Sequence, residues 1–381
     1  MDSIASEIQT APGCSIHLAE LPRKGEDRTA VLQFQHGLII AIFDGHCGSQ
    51  LSDYAAQTLP KLLAERLDPV SDPATNENWS DPKWLDSEVE LCSRFGQPAD
   101  SRYISGLRAT AGSTVLVAFL DQTKQHLWVA SLGDSDAVCA RNINNTRTVH
   151  FLSERHNCDN PTEVERVRQQ HPNESDVLQY DSLLGTLRIT RGGSWLLPFS
   201  EVAKFIGGLG DHQLKVPIAL ATRILPYYSI PPRLEASEIL SRHYWTPPYV
   251  SNKPYIHCHD ILEGDTFILA SDGLRDALLL SISENQKFDI IFALADGKPE
   301  FSSAALLQHE CIVAKDGDNM AEQIIINTLF GTDMKKRARE LDQRASRDDI
   351  SVVYQPITNT RIKFLSAYAV YMQSNQDFKV K

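Results

Sequence analysis

The apolar positions of this chain fall into short runs with two different periods. TAVLQFQ (29–35) and GLIIAIF (37–43) are rich in β-branched and aromatic residues and flank His36-Gly37, which predicts two paired strands joined by a tight turn. From Gln50 the period lengthens. Leu51, Tyr54, Ala55, Leu59, Leu62, Leu63 and Leu67 recur at three- and four-residue steps and line one face of a helix running to Leu67, with Pro60 as a point of kinking. STVLVAFLDQTKQHLWVASLGDSDAVCA (113–140) predicts two or three antiparallel strands, with a turn at 121–124 and a break at Gly133-Asp134. PTEVERVRQQ (161–170) has Pro in its first turn and a helical charge pattern. DTFILAS (265–271) and DISVVYQP (349–356) read as strands, with helical segments between them, notably AEQIIINTLF (321–330). Two stretches break the pattern: residues 68–104 are polar and Pro-bearing, and 171–262 mix Gly207, Gly208, Gly210 and two Pro pairs with short apolar pieces, as loops over a site do. No repeat, heptad or low-complexity tract interrupts the 381 residues.

Charge narrows the function. Lys and Arg total 37 against 49 Asp and Glu, a formal charge of −12, the wrong sign for a nucleic-acid or anionic-membrane binder. The longest apolar runs, such as GLIIAIF, have strand length and fall far short of the roughly 18 residues of a membrane span. Seven cysteines without a CxxC pair argue against a disulfide framework or a thiolate zinc knuckle and for a reducing compartment. His257-Cys258-His259 places two imidazoles on one strand face, but two ligands do not make a zinc site, and the tripeptide reads as ordinary strand. GGLG (207–210) is too short and wrongly framed for a dinucleotide loop.

Acidic residues recur at the predicted strand ends. Glu26-Asp27 precede the first apolar run, Asp44 closes the second, Asp134 and Asp272 end two others, and Asp348-Asp349 open the last. Any one of these alone would be a turn former or helix cap. Together, in a mainly antiparallel chain, they converge on one sheet edge and repel one another unless cations sit between them. Ligation by oxygen alone suits Mg²⁺ or Mn²⁺ rather than Zn²⁺.

The ordered pieces ED (26–27), FDGHCG (43–48), GST (112–114), LGDS (132–135), LGD (209–211), ILASDGLRD (268–276) and SRDDISVV (346–353) resemble the motif series of the metal-dependent type 2C serine/threonine protein phosphatase family. PPY (247–249) and DGDNMAEQIIINTLF followed by a basic stretch are most similar to its pyruvate dehydrogenase phosphatase branch. The resemblance implies an α+β fold: an antiparallel β-sandwich flanked by helices on both faces, with the metals at one end. It implies one catalytic domain at 23–356 with surface insertions near 68–104 and 171–262, an N-terminal extension at 1–22 and a C-terminal extension at 357–381.

By the same resemblance, Asp44 bridges two Mg²⁺ or Mn²⁺ ions, the Gly45 carbonyl ligates one, and Asp272 and Asp348 complete the pair. Asp27 acts through bound water with Glu26 as helper, and Asp134 shares a weaker third position with Asp272. His46 protonates the departing alkoxide after a metal-activated water attacks phosphoserine or phosphothreonine in a protein. Four residues depart from the family pattern. Pro22 stands where an Arg commonly grips phosphate, leaving Arg23 as the candidate phosphate contact and Lys24 beside it; Cys47 replaces Gly, Asp136 replaces Arg, and Arg275 replaces Trp. Pro22, Asp136 and Arg275 motivate a competing reading, a catalytically silent scaffold that binds a partner protein, against which stands the full set of metal carboxylates. No regulatory partner is identified. An N-terminus with no Lys or Arg before Arg23 lacks both signal-peptide and transit-peptide character, which predicts the cytosol or nucleus and disfavours the mitochondrion.

Overall fold

The computed structural model describes residues 3–11, 14–67, 107–122, 125–143, 146–181, 186–189, 207–217, 246–278, 282–295, 307, 309–342 and 347–357. Its logic is clearest in the strand GLIIAIF, which is buried along its whole length because it serves two cores at once. Successive side chains of a strand point to opposite faces. Leu38, Ile40 and Ile42 enter the space between two sheets, and Ile39, Ala41 and Phe43 face a helix.

The first sheet runs β1 (Ala5–Ala11), β2 (Cys14–Leu21), β16 (Ile350–Pro356), β15 (Thr266–Ala270), β9 (Asp136–Ile143), β10 (Thr146–Phe151). The second runs β14 (Tyr255–Asp260), β8 (His126–Leu132), β7 (Val115–Asp121), β4 (Gly37–Phe43), β3 (Arg28–Phe34). Every pairing is antiparallel. Ile16 and Leu18 of β2, Phe267 and Leu269 of β15 and Val353 of β16 meet Leu116 and Ala118 of β7 in the inner core. Helix α1 (Gln50–Leu67) covers the second sheet, burying Leu51, Ala55, Leu59 and Leu63 on one stripe and continuing through Pro60. The chain also forms α2 (Pro161–Gln170), α3 (His212–Lys215), α4 (Asp272–Asp276), α5 (Glu284–Ala295), α6 (Met320–Leu329) and α7 (Met334–Glu340). Phe288, Ile291 and Phe292 of α5 with Ala321, Ile324 and Ile325 of α6 cover the first sheet over Leu21, Ile268 and Val352. The result is the α+β sandwich with helices on both outer faces that the resemblance implies. Among the described residues no helix is long and apolar enough to cross a membrane.

Two expected boundaries change. Residues 1–22, expected as an extension, contain β1 and β2, and β2 lies inside the sheet with Leu21 opposite Ile350 and Leu18 opposite Val353. Its alternation buries Ile16, Leu18 and Leu21, which an extension would leave in water. The stretch 171–262, expected as a surface insertion, supplies the edge strand β14 and the short strand β13 (Leu209–Gly210) as well as the hairpin β11 (Leu178–Asp181) with β12 (Thr186–Ile189). The expected insertion near 68–104 and nearly all of the C-terminal extension at 357–381 lie outside the described residues.

A third, small sheet positions the site. In it β13 pairs with β6 (Gly112–Ser113), which pairs with β5 (Gly45–His46), so the LGD, GST and FDGH pieces are hydrogen-bonded to one another.

Candidate metal centre

The end of β4 is fastened before any carboxylate is placed. The Asp44 N–H donates to Thr114 Oγ1 at 3.3 Å, its carbonyl accepts the Thr114 N–H at 2.8 Å, and the Thr114 and Ser135 hydroxyls share a hydrogen bond of 2.9 Å. The ends of β4, β7 and β8 are thereby tied together, carrying Asp44 and Asp134. Asp272 arrives where β15 turns into α4, and Asp27 and Asp348 precede β3 and β16. Sandwich topology thus brings five carboxylates from both sheets to one end.

Their electrostatics report that proximity. Burial raises Asp44 well above the usual carboxylate range, and Asp27, Asp272, Asp134 and Asp348 each push it further in that order. Asp27 is raised to about 8, first by burial and then by Asp349 and Asp348, with the Ser351 and Ser271 hydroxyls pulling the other way. Asp27 Oδ2 is buried and accepts no hydrogen bond. An orphaned carboxylate oxygen among four like charges is expensive to keep unless a cation sits with it, and an all-oxygen donor set is the one that Mg²⁺ and Mn²⁺ take. The residues present therefore fit a divalent cation of that class.

Of the adjacent pair Asp348-Asp349, only one is free to face the cluster. Asp349 Oδ1 accepts the N–H groups of Arg23, Lys24 (2.7 Å) and Gly25 (3.3 Å), and Oδ2 accepts those of Glu26 (2.6 Å) and Asp27 (3.3 Å). Although burial opposes it, these backbone donors hold Asp349 below the usual carboxylate range. Asp349 is the anchor of the loop that presents Asp27, a role the sequence reading did not assign; the doubled DD at a strand start was its only signal.

The remaining expected residues sit as follows. Glu26 braces the turn beside the cluster: its Oε1 accepts the Gly48 N–H at 2.5 Å and its carbonyl accepts the Ser52 hydroxyl at 2.5 Å. Gly45 passes so close to this turn that a Cβ there would lie 2.4 Å from the Glu26 carbonyl oxygen. Cys47 adopts φ +59°, the left-handed backbone for which the family pattern carries Gly. His46 is buried, its Nε2 2.8 Å from Asp211 Oδ2. Gly112 makes room for this pair, since a Cβ would fall 1.8 Å from His46 Nε2 and 2.3 Å from Asp211 Oδ2. Asp211 was legible as part of LGD but not as the partner of His46. Arg23 is half-buried and gives its backbone N–H to Asp349, while Lys24 Nζ stands 3.4 Å from Asp348 Oδ1.

Two departures from the family pattern compensate each other. Arg275, only 7% exposed, points Nη1 at Asp136 Oδ2 (2.5 Å) and at the Asp134 carbonyl (3.0 Å), with Nη2 4.0 Å from Asp272 Oδ2. Asp136 also takes Arg155 Nε at 2.8 Å. A fixed guanidinium thus lies directly behind the acidic cluster.

Comparison with known proteins places these observations in a family. The protein phosphatase 2C pattern matches residues 33–280. The mitochondrial pyruvate dehydrogenase [acetyl-transferring] phosphatase 1 of Saccharomyces cerevisiae is 28% identical over 281 residues, covering 68% of this chain and 45% of that protein. The Bos taurus protein of the same name is 32% identical over 204 residues, covering 51% and 34%. Probable protein phosphatase 2C 39 of Oryza sativa subsp. japonica is 26% identical over 368 residues, covering 84% and 62%. The chain spans less than half the length of the first two relatives. Among solved structures, a serine-threonine phosphatase 2C from Toxoplasma gondii superposes with a TM-score of 0.54 at 16% identity, covering 93% of this chain and 99% of that one. A second Toxoplasma gondii phosphatase does so with 0.58 at 15%, covering 95% and 97%. These two likenesses show the fold. The expectation of a cytosolic or nuclear protein is overturned by the yeast and bovine relatives, which are mitochondrial by name. It rested on the composition of residues 1–22, which answers to β1 and β2 rather than to an address.

Proposed function

The chain belongs to the protein phosphatase 2C family, and from that premise we propose that it hydrolyses phosphoserine and phosphothreonine in proteins, with the acidic cluster as its metal centre. The family is Mg²⁺- or Mn²⁺-dependent. The observation that carries the reading is the convergence of Asp27, Asp44, Asp134, Asp272 and Asp348 from separate strand ends, each of the other four raising Asp44. When bound, a pair of such cations supplies charge neutralisation and a lowered pKa for a water that attacks phosphorus in line.

In this reading Asp44, Asp272 and Asp348 with the Gly45 carbonyl would hold the ions, and Asp27 would hold ordered water, with Glu26 bracing the turn beside it. Asp134 and Asp272 offer the weaker third position. Among the described residues no three of these carboxylates bring oxygens within 4.8 Å of one another, a spacing that suits ions keeping much of their water rather than one ion caged by side chains. His46 Nε2 lies 2.8 Å from Asp211 Oδ2, and we assign to His46, oriented by Asp211, the delivery of a proton to the departing seryl or threonyl oxygen. Arg23 remains the proposed phosphate contact, with Lys24 beside it as a second cation. We read residues 5–357 as one catalytic unit. Its compartment we take to be that of the mitochondrial relatives, to be checked by fractionation. Of the three departures that motivated the scaffold reading, Pro22, Asp136 and Arg275, the last two pair with each other and leave every metal carboxylate in place, and no observation favours that reading.

The test is release of phosphate from phosphoserine and phosphothreonine peptides in millimolar Mn²⁺. Asp44→Asn and Asp272→Asn should each lower turnover by at least about a hundredfold while circular dichroism is unchanged. Full activity in both variants, or in the wild type after chelation, would overturn the assignment.

A further inference from the structure

Asp272 closes β15 at the acidic end; Asp265 precedes the same strand at the other end, roughly 20 Å away at about 3.3 Å per residue. There the edge strands of the two sheets, β10 and β14, come together around side chains that the phosphatase reading does not use. Cys139 of β9 is fully buried between the sheets. His150 of β10 lies directly opposite it in the ladder, so both side chains leave the same sheet face. From the other sheet comes His259 of β14, whose ring centroid is 5.1 Å from that of His150. One donor atom from each of Cys139, His259 and Asp265 lies within 4.8 Å of the other two.

We propose that Cys139, His259 and Asp265, with His150 as fourth donor, form a site for a borderline cation of the Zn²⁺ class that ties the two sheets together. Tetrahedral Zn²⁺ at about 2.0–2.3 Å from each donor sets donor separations of roughly 3.5 Å, within small side-chain shifts of the spacing present. Sulfur and imidazole donors distinguish the site chemically from the oxygen-only cluster and disfavour Mg²⁺.

Two further observations fit. His259 Nε2 is buried and makes no hydrogen bond, an orphan that a cation would satisfy. Burial, then His150, Arg141 and His257, hold His259 below the ordinary imidazole range, with Asp265 opposing, so the ring is in the neutral form that ligates. Among the described residues, Arg141 is the cation that competes. Its Nε reaches Asp265 Oδ1 at 3.0 Å and its Nη2 reaches Oδ2 at 2.7 Å, where the Leu262 N–H also donates at 2.8 Å. Oδ2 is thereby occupied, whereas Oδ1 keeps lone-pair capacity and is held in a fixed direction, as partners of metal-ligating carboxylates hold them. Burial and then Asp265 push the Cys139 thiol up to about 12, so capture of the cation releases a proton and weakens as pH falls. The HCH tripeptide lacked partners in sequence; the fold supplies them from about 120 residues upstream, at Cys139, and from Asp265.

The experiment titrates Co²⁺ into the metal-free full chain with Mg²⁺ in excess, because thiolate ligation to Co²⁺ gives a near-ultraviolet charge-transfer band that carboxylates do not. One equivalent should develop the band together with tetrahedral visible bands, and one equivalent of Zn²⁺ should abolish both. Cys139→Ser should remove the band, and His259→Gln, on a part-exposed edge strand, should weaken Co²⁺ binding at least about tenfold. Asp44→Asn should leave the band untouched, so failure of the phosphatase reading and failure of this one are separable. Absence of the band in the wild type, its survival in Cys139→Ser, or undiminished affinity in His259→Gln would overturn the proposal.

Discussion

Adjacent carboxylates with the same side chain do opposite work here because their backbone surroundings differ. Asp349 spends both oxygens on five backbone N–H groups of 23–27, whereas Asp348 is left beside Lys24 and the cluster. Asp349→Ala should cost on the order of 2–4 kcal/mol in urea unfolding, since it strands several amide donors, and should weaken Mn²⁺ binding by calorimetry because Asp27 loses its mount. Asp349→Asn should recover part of the first effect. The Asp136–Arg275 pair makes a second prediction at this scale. Asp136→Ala leaves a buried guanidinium short of its closest partner and should cost about 3–5 kcal/mol, whereas Asp136→Leu with Arg275→Met together should cost well under half of that. Equal losses in the single and double variants would show that the pair is not coupled.

At the scale of elements, the first sheet depends on a hairpin that the span of the family motifs sets outside the domain. β2 is flanked on both sides, by β1 and β16, and buries Ile16, Leu18 and Leu21 completely or nearly so. Deleting residues 1–22 opens the edge of β16 and uncovers apolar surface on both of its faces, so the truncated chain should be insoluble or lack a cooperative thermal transition, read by calorimetry and light scattering. The small β13–β6–β5 sheet makes the corresponding case for the site. Gly112→Ala should drive His46 and Asp211 apart and lower turnover at least about tenfold while Mn²⁺ affinity, set by the carboxylates, changes little.

For the molecule as a whole, the acidic end couples stability to pH and to cations. Asp27 is raised from an unfolded value of 3.8 to about 8, so between those values the folded chain holds more protons than the unfolded one. Stability of the metal-free protein therefore falls as pH rises from about 4 to about 8, by a few kcal/mol at most. Asp349, lowered, acts at the other limit: its contribution is present above 3.8 and is lost as pH falls further. A metal-free sample should melt at lower temperature at pH 8 than at pH 5, and Mg²⁺ should raise the melting temperature more at pH 8. A metal-free transition that is flat or rising over this range would contradict the cluster's electrostatics.

What the residues determine on their own is whatever repeats locally or stands at an element's end. The period of two in GLIIAIF, the three- and four-residue steps of 50–67 and the acid at each strand terminus are consequences of side-chain direction along one strand or helix, and they survive without knowledge of any partner. Tertiary structure alone decided which member of Asp348-Asp349 faces the cluster, that His46 meets Asp211, that Arg275 answers Asp136, and that His259 meets Cys139. Each of those relations joins segments about 120 to 325 residues apart that come together through sheet pairing and sheet-on-sheet packing. The pattern along one segment carries the face a side chain takes but not the segment it will find there.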